Sequence, residues 1–248
     1  MKTIFKHFLA TAVLLLVSVS MNAEVYSGDC GEQGDNVKWT LDTETGLLTI
    51  AGSGPMKNYQ QRNKTTNVPW FIYSGSIIKV IIEDGVMTIG QFAFCGCERL
   101  SSITIPNSVM TIGQGAFMQC SSLPSINIPE GVTSIGNVTF YGCSGLTSIN
   151  IPESVTSIGN DAFRGCSGLP VEDNLRYADT YVVETLNKTL ECYTLKNNTR
   201  FIGNRAFYEC SNLTSINIPN SVISIGDYAF LSCLHKMPIT CIAASVTR

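Results

Sequence analysis

The chain has 248 residues, 44% of them hydrophobic and 14% charged, with ten cysteines and a formal net charge of −3. That length holds one large domain or two small ones and is ample for a core. The charge content is well below the roughly 25% of an average domain. A basic nucleic-acid binder and a disordered acidic tail are both excluded.

The first predicted element is an export signal. Lys2 and Lys6 give a positive start, Phe8 to Val19 is apolar, and the small residues Ser18, Ser20 and Ala23 follow. The apolar stretch is shorter than the about 20 residues of a transmembrane helix, and no later run could span a bilayer. Cleavage after Ala23 is expected, making residues 1–23 the signal peptide. Cleavage after Ser20 is the alternative, because Met21 is large for the −3 position. Cys30 lies past both sites, so no acylated-cysteine anchor is implied. Loss of Lys2 and Lys6 leaves 14 basic against 19 acidic residues, a charge of about −5.

Residues 24–76 lack the pattern that follows them and are predicted to form an N-terminal β cap. Val37 to Leu41, a Thr45-Gly46 turn and Leu47 to Ile50 read as a hairpin. Trp39, Trp70 and Phe71 are the expected covering side chains, since a repeat stack needs atypical ends. Gly52-Ser-Gly54 has no third glycine and reads as a turn rather than a phosphate loop. Asp42 and Glu44 fall short of the roughly 6–8 oxygens that calcium takes.

From Ile77 the chain repeats itself. Leu100-Ser-Ser-Ile-Thr-Ile-Pro106, Leu123-Pro-Ser-Ile-Asn-Ile-Pro129 and Leu146-Thr-Ser-Ile-Asn-Ile-Pro152 each run into Val-x-x-Ile-Gly, then a Phe, then a Cys. Cys97, Cys120, Cys143 and Cys166 are 23 apart, as are Cys210 and Cys233. Phe94, Phe117, Phe140, Phe163, Phe207 and Phe230 keep the same phase. A period of 23 falls within the range of leucine-rich repeats. The fold class expected is a repeat solenoid, mostly β with short helical turns: a right-handed stack of about six coils over 77–233. In each coil Ile149 and Ile151, and their equivalents, alternate with a polar residue as a half-buried strand. Val155 and Ile158 mark a second short strand, Gly159 a corner, and Phe163 and Cys166 a third side. No coil buries these residues alone, whereas stacking turns them into continuous ladders.

The phase breaks once. Cys166 and Cys210 are 44 residues apart, one period of 23 and 21 more. The extra residues read as a hairpin insertion at 169–189: Leu175 to Leu186 forms the first arm, and Thr189 to Leu195 forms the second and serves as the coil's own strand. A tolerated surface insertion and a binding element are the two roles open to it. After Cys233, Lys236, Ile239 and Cys241 stand where apolar strand positions are due. Residues 234–248 therefore read as a degenerate C-terminal end or a shortened array, and an uncovered last coil would be an adhesive sheet edge.

The search for chemistry yields little. Past the signal the one histidine is His235, with nothing to place a nucleophile beside it. One thiol per coil forms a near-linear row, which cannot close a tetrahedron round zinc. Parallel side chains in that row also make poor disulfide torsions, so buried free thiols are expected. Cys30, Cys95, Cys192 and Cys241 lie outside the register and are the candidates for any bridge. Asn137-Val-Thr139 matters as a sequon only in a glycosylating host. No catalytic residue, metal or cofactor is assigned. The outward strand residues Ile81, Thr104, Asn127, Asn150, Thr194 and Asn217 would stack at about 4.8 Å as a stripe. Two readings stand for it: a solvated sheet surface, or a face for a protein segment or glycan.

The unit L-x-x-I-x-I-P-x-x-V-x-x-I-G-x-x-A-F-x-x-C resembles the BspA-like leucine-rich repeats of surface proteins from host-associated anaerobic bacteria. Ala116-Phe117, Ala162-Phe163, Ala206-Phe207 and Ala229-Phe230 carry its A-F pair, and Thr139 replaces the alanine once. Gly52-Ser-Gly54-Pro-Met56 and Pro69-Trp70 look like the leader segment of such proteins. The resemblance implies an exported, secreted or cell-surface, non-enzymatic protein for recognition or adhesion. Its partners would be host or neighbouring-cell surface proteins or glycans, met through the repeat face. A structural or self-assembling spacer of the envelope, associating through its C-terminal edge, is the alternative. No C-terminal sorting segment is recognisable, and the family shares a scaffold rather than one ligand.

Overall fold

The computed structural model describes residues 24–62 and 65–233. The signal at 1–23, and His235, Cys241 and the rest of the C-terminal end at 234–248, lie outside the described residues. Among the described residues no helix is long and apolar enough to cross a membrane.

The chain winds as a three-sided, mostly β solenoid. On the first side lie the strands Lys79–Ile82, Ser102–Thr104, Ser125–Asn127, Ser148–Asn150, Cys192–Thr194 and Ser215–Asn217. On the second lie Val86–Ile89, Thr111–Ile112, Ser134–Ile135 and Ser157–Ile158, then Phe201–Ile202 and Ser224–Ile225. Pairing is parallel and in register at the 23-residue offset: Ile89 with Ile112, Ile112 with Ile135, Ile135 with Ile158. Pro106, Pro129, Pro152 and Pro219, lacking an amide donor, let the chain leave the sheet after four of these strands. We number the six pattern-bearing coils one to six, and place the divergent residues 169–189 between the fourth and fifth.

The third side is made of turns. One short helix occurs among the described residues, the 3-10 segment Phe71–Ser76. Each pattern-bearing coil holds a left-handed residue three positions past the Ile of Ile-Gly. These are Phe92, Gly115, Val138, Asp161, Arg205 and Tyr228, with φ between 49° and 60°. Only one of the six is glycine. The conformation costs an L-residue about 1–2 kcal/mol, so the stack around it holds five strained residues in place.

What sets that geometry is the interior. Phe94, Phe117, Phe140 and Phe163 are fully buried and stack at centroid separations of 5.4, 5.5 and 5.3 Å. Beside them run the cysteines. The thiols of Cys120, Cys143, Cys166 and Cys233 donate to the carbonyls of Phe94, Phe117, Phe140 and Phe207 at 3.0–3.2 Å. Cysteine is therefore a small apolar filler whose weak donor satisfies a carbonyl of the preceding coil. The sulfurs lie in the expected row, and Cys30, Cys95 and Cys192, singled out as bridge candidates, are unpaired as well. Thr139, in the alanine position, is completely buried. Its hydroxyl donates to Gly136 and Gly113 carbonyls at 2.8 and 3.2 Å.

The cap is closer to a coil than its sequence indicates. The predicted hairpin is present as β2, Gly34–Asp42, antiparallel to β3, Leu47–Gly52. A further edge strand, β1, Val25–Gly31, pairs antiparallel with β2. β3 then pairs in parallel with Lys79–Ile82, and Gly54–Pro55 pairs in parallel with Val86–Ile89. Gly52 (φ 130°) is needed there, because a Cβ would sit 2.3 Å from the Asn36 carbonyl oxygen. Trp70 opens the aromatic column, 6.0 Å from the Phe94 ring, and its indole donates to the Ala93 carbonyl at 3.0 Å. Trp39 packs edge-on against Trp70 and Phe71 is half-buried against the same core, so the contact with the first coil's Phe94 is made by Trp70.

The insertion differs from the expected pairing. Its hairpin joins Leu175–Ala178 to Tyr181–Thr185 around Asp179 and Thr180. Thr189 to Leu195 is not its second arm: within it Cys192–Thr194 pairs in parallel with Ser215–Asn217. In that turn Asp179 holds a left-handed φ of 53°, a conformation aspartate tolerates. Tyr181–Thr185 then joins the second side, Tyr181 beside Phe201 and Val182 beside Ile202. The extra residues are thus a shortened coil within the stack.

Burial pushes the Cys97 thiol up to about 12, and Cys95 and Cys210 up to about 11, from an ordinary 9. The native state therefore holds these protons more tightly than the unfolded chain. Their stabilising contribution is complete below pH about 9 and is lost as pH rises toward 12. A thiol reagent at pH 8 is expected to label exposed Cys192 at once and the buried ladder only at the rate of unfolding. Mass spectrometry of labelled peptides checks this, and rapid labelling of Cys120 or Cys143 would contradict it.

Candidate functional site

The outward stripe is present in register but divided. Ile81 lies beside Thr104, Asn127 beside Asn150, and Thr194 beside Asn217. Thr104, Asn127, Asn150, Thr194 and Asn217 are exposed, whereas Ile81 is half-buried. The Asn150 amide donates to the Asn127 side-chain oxygen at 3.3 Å, so part of the stripe's hydrogen-bonding capacity is used between coils. Around it, Thr147 and Thr214 hydroxyls donate to the carbonyls of Pro124 and Glu191 one coil back, at 3.0 and 2.9 Å.

The divergent coil separates Asn150 from Thr194. No strand of the usual pattern runs there, and a cleft of about 190 Å³ opens, lined among others by Ser148, Tyr177, Asp179, Lys196 and Asn198. Its charges are engaged. Asp179 accepts the Ile151 amide at 2.9 Å, and Lys196 lies 2.8 Å from Glu172 and 4.4 Å from the centre of the Tyr177 ring. The sheet face therefore carries two polar pairs on either side of a shallow break.

Two substitutions hold the coils together across that break. Thr185 donates its amide to the Ala206 carbonyl, the bond that a phenylalanine makes in an ordinary coil, as Phe207 does to Ala229. Its side chain is too small to fill the column. Two tyrosines fill it instead: Tyr181 packs edge-on to Phe163 at 5.1 Å, and Tyr193 from the next coil edge-on to Phe207 at 5.2 Å, with its hydroxyl 2.6 Å from the Thr185 hydroxyl and bonded to the Asn187 carbonyl. Arg200 then reaches past the divergent coil. Its buried guanidinium donates to the carbonyls of Pro152, Glu153 and Val155 at 3.1, 3.0 and 2.8 Å. The divergent coil has no Pro-x-x-Val stretch to occupy that space. Arg200 was not legible as a structural clamp, since its position in other coils holds residues such as Thr156.

Other sequence candidates resolve locally. The Asp42 carboxylate accepts the amides of Glu44 and Thr45 at 2.9 and 3.3 Å, which makes it a turn residue. Hydrogen bonds to Thr45, then Glu44, hold its carboxyl below the usual range. Among the described residues no group of three or more His, Cys, Asp or Glu is placed to hold a metal ion.

The fold defines the protein as a leucine-rich repeat solenoid. The BspA type leucine rich repeat region matches residues 64–175 and 183–247 in six copies, and the chain belongs to that family. The gap in the match falls within the divergent hairpin. A leucine-rich repeat protein from Eubacterium ventriosum is similar in structure, with TM-score 0.52 and 24% identity over 85% of this chain and 64% of that one. This chain therefore spans less than two thirds of that protein's length. One from Bacteroides ovatus gives TM-score 0.46 and 28% identity over 83% and 56% of the two chains. A leucine rich cell surface protein from Faecalibacterium prausnitzii gives 0.41 and 24% over 80% and 73%. No functionally curated protein matches the chain.

Replacing Arg200 by methionine, which keeps bulk but not donors, is expected to cost about 3 kcal/mol, since each orphaned buried group costs about 1–3 kcal/mol. Hydrogen exchange should show faster opening at Val155 and Phe201 than at Phe94. Unchanged protection on both sides of the break would remove the clamp from the argument.

Proposed function

We propose that this protein is an exported recognition or adhesion protein that binds a protein segment or glycan through the first side of its stack. The carrying observation is the exposure of Thr104, Asn127, Asn150, Thr194 and Asn217 on one side of the stack, Asn127 in register with Asn150 and Thr194 with Asn217. Amide and hydroxyl groups at strand spacing offer paired donors and acceptors to an extended ligand, as peptide and sugar recognition require. Export rests on the Lys2, Lys6 and Phe8 to Val19 pattern. On this reading the protein is not an enzyme: the face offers binding groups and no nucleophile with a base. Its partners are surface proteins or glycans of the host or of neighbouring cells.

The test is binding of the purified protein to an array of host matrix proteins and glycans, repeated with the double variant Asn127→Arg, Asn150→Arg. Both sites are exposed, so the circular dichroism spectrum should be kept while affinity for a specific hit falls at least tenfold. Unchanged affinity would exclude this face.

A second reading, self-association as a spacer, is favoured by one observation. The last described coil exposes Ile223, Tyr228 and Leu231 to about half their surface or more. Exposed apolar area of this kind marks an interaction surface. Light scattering over a hundredfold concentration range should show rising mass on this reading. A constant monomer mass rejects it.

A further inference from the structure

The divergent coil is short on the third side as well. From the Ile of Ile-Gly to the buried phenylalanine an ordinary coil uses five steps, as from Ile202 to Phe207. The divergent coil runs from Val182 to Thr185 in three, inside one strand, and makes no outward turn. The turns of the fourth and fifth coils therefore stand apart, with a notch of about 180 Å³ between them. Tyr181, Val183 and Thr185 form its floor, Asp161 and Arg164 one wall, and Asn204 and Arg205 the other.

Its charge is opposite to that of the chain. Arg164, Lys188 and Arg205 line it against Asp161 and Glu184, in a protein with a formal charge of −3. Each carboxylate has a cationic neighbour. Glu184 lies 2.9 Å from the mostly buried Arg176, whereas Asp161 keeps only a loose 3.8 Å contact with exposed Arg164. Lys188 has a loose, exposed contact with Glu209 at 3.4 Å. Among the described residues Arg205 forms no ion pair, and it sits 5.6 Å from the centre of the Tyr228 ring. Its guanidinium keeps its donor fork available.

A second observation is independent of charge. At this corner of the stack an asparagine side-chain oxygen takes an amide of the next coil: Asn58 accepts from Gln91 at 2.9 Å, and Asn137 from Asn160 at 2.8 Å. Asn204 stands at the same corner, yet its Oδ1 is buried with no partner. A buried polar atom left unpaired is costly, and this one borders the notch. Rotation of the amide into the notch would give that oxygen a donor from a ligand.

We infer that the notch binds the ring of an acidic sugar. Arg205, helped by Lys188, takes the carboxylate, and Asn204 meets the ring hydroxyls. The volume is below the about 300–1,000 Å³ of drug-sized sites, so it admits one ring of a glycan chain rather than several. The site is separate from the sheet face, so it stands or falls independently of the Asn127 and Asn150 variants.

The test is calorimetric titration of the purified protein with glucuronate, with glucose and acetate as comparators. Glucuronate should bind at least tenfold more tightly than either. The variant Arg205→Asn should weaken it at least tenfold, as loss of a charged hydrogen bond implies. Asparagine suits the left-handed φ of 56° at this position, so the variant should fold. Lys188→Gln, on an exposed side chain, should weaken binding to a lesser degree. No heat with glucuronate would overturn the inference. So would equal binding of acetate, which would reduce the site to a general anion contact, or an affinity indifferent to Arg205→Asn in a variant with an unchanged melting profile.

Discussion

A coil of this protein has no interior of its own. Its Phe, Cys, Ile and Val side chains become buried only when the same positions of the next coil arrive above them, so the 23-residue register is a condition of folding. The thiol-to-carbonyl bonds make that condition strict. A sulfur such as Cys143 reaches the Phe117 oxygen at 3.1 Å only if the coils are in phase, and the same phase sets the rings of Phe117 and Phe140 nearly parallel at 4°. A one-residue slip would send alternate strand residues to the wrong face. The strained left-handed turns follow from this. Val138 adopts φ 49°, unfavourable for a β-branched residue, because the turn must deliver Phe140 and Cys143 to the column.

The same constraint explains how the divergent coil is tolerated. It lacks the phenylalanine, the cysteine and the Pro-x-x-Val stretch, yet the pairing of Tyr181 and Val182 with Phe201 and Ile202 continues the second side. Each missing part is supplied by a neighbour. Tyr193 fills the column over Thr185, Arg200 occupies the space next to Pro152 and Val155, and Asp179 takes the Ile151 amide. These are polar solutions in an otherwise apolar interior. They carry directional bonds, and removing one partner leaves buried carbonyls or amides unpaired.

The repeat itself was legible because its signal is redundant. Phe, Cys and Ile-Gly phases agree over six coils, so any one departure, such as Thr139, is outvoted. What could not be read is what occurs once. β1 is an edge strand whose exposure alternates, but Gly28 takes one of its inward positions, so its residue types show no clean apolar alternation. The cap's coil-like character rests on Gly54–Pro55 standing in for a strand and on a tryptophan standing in for phenylalanine. Neither replacement preserves a pattern. The hairpin was seen, but its turn was placed late: Asn187-Lys188 is as plausible a turn in composition as Asp179-Thr180. Only parallel pairing with Phe201 decides between them. The outward positions of Thr104, Asn127, Asn150, Thr194 and Asn217 follow from the strand period, whereas the half-burial of Ile81 and the division of the stripe by a cleft depend on how neighbouring segments pack.

A repeat stack has uniform walls by construction, and uniform walls offer few concave places. Here the interior register forbids variation at the Phe and Cys positions, while a shortened coil leaves the outline of the stack free to change. That change opens a recess on two sides at once, one beside Tyr177 and Lys196 and one beside Tyr181 and Arg205. The residues lining them come from coils that are distant in sequence, such as Asp161 and Arg205, and meet only because the register brings them to the same corner. Specific recognition needs groups that differ from their equivalents in other coils. Arg205 and Asn204 meet that requirement where the stack is interrupted: among the described residues the first forms no ion pair and the Oδ1 of the second has no hydrogen-bond partner. The interruption in the 23-residue pattern is thus the place where this scaffold ceases to be generic.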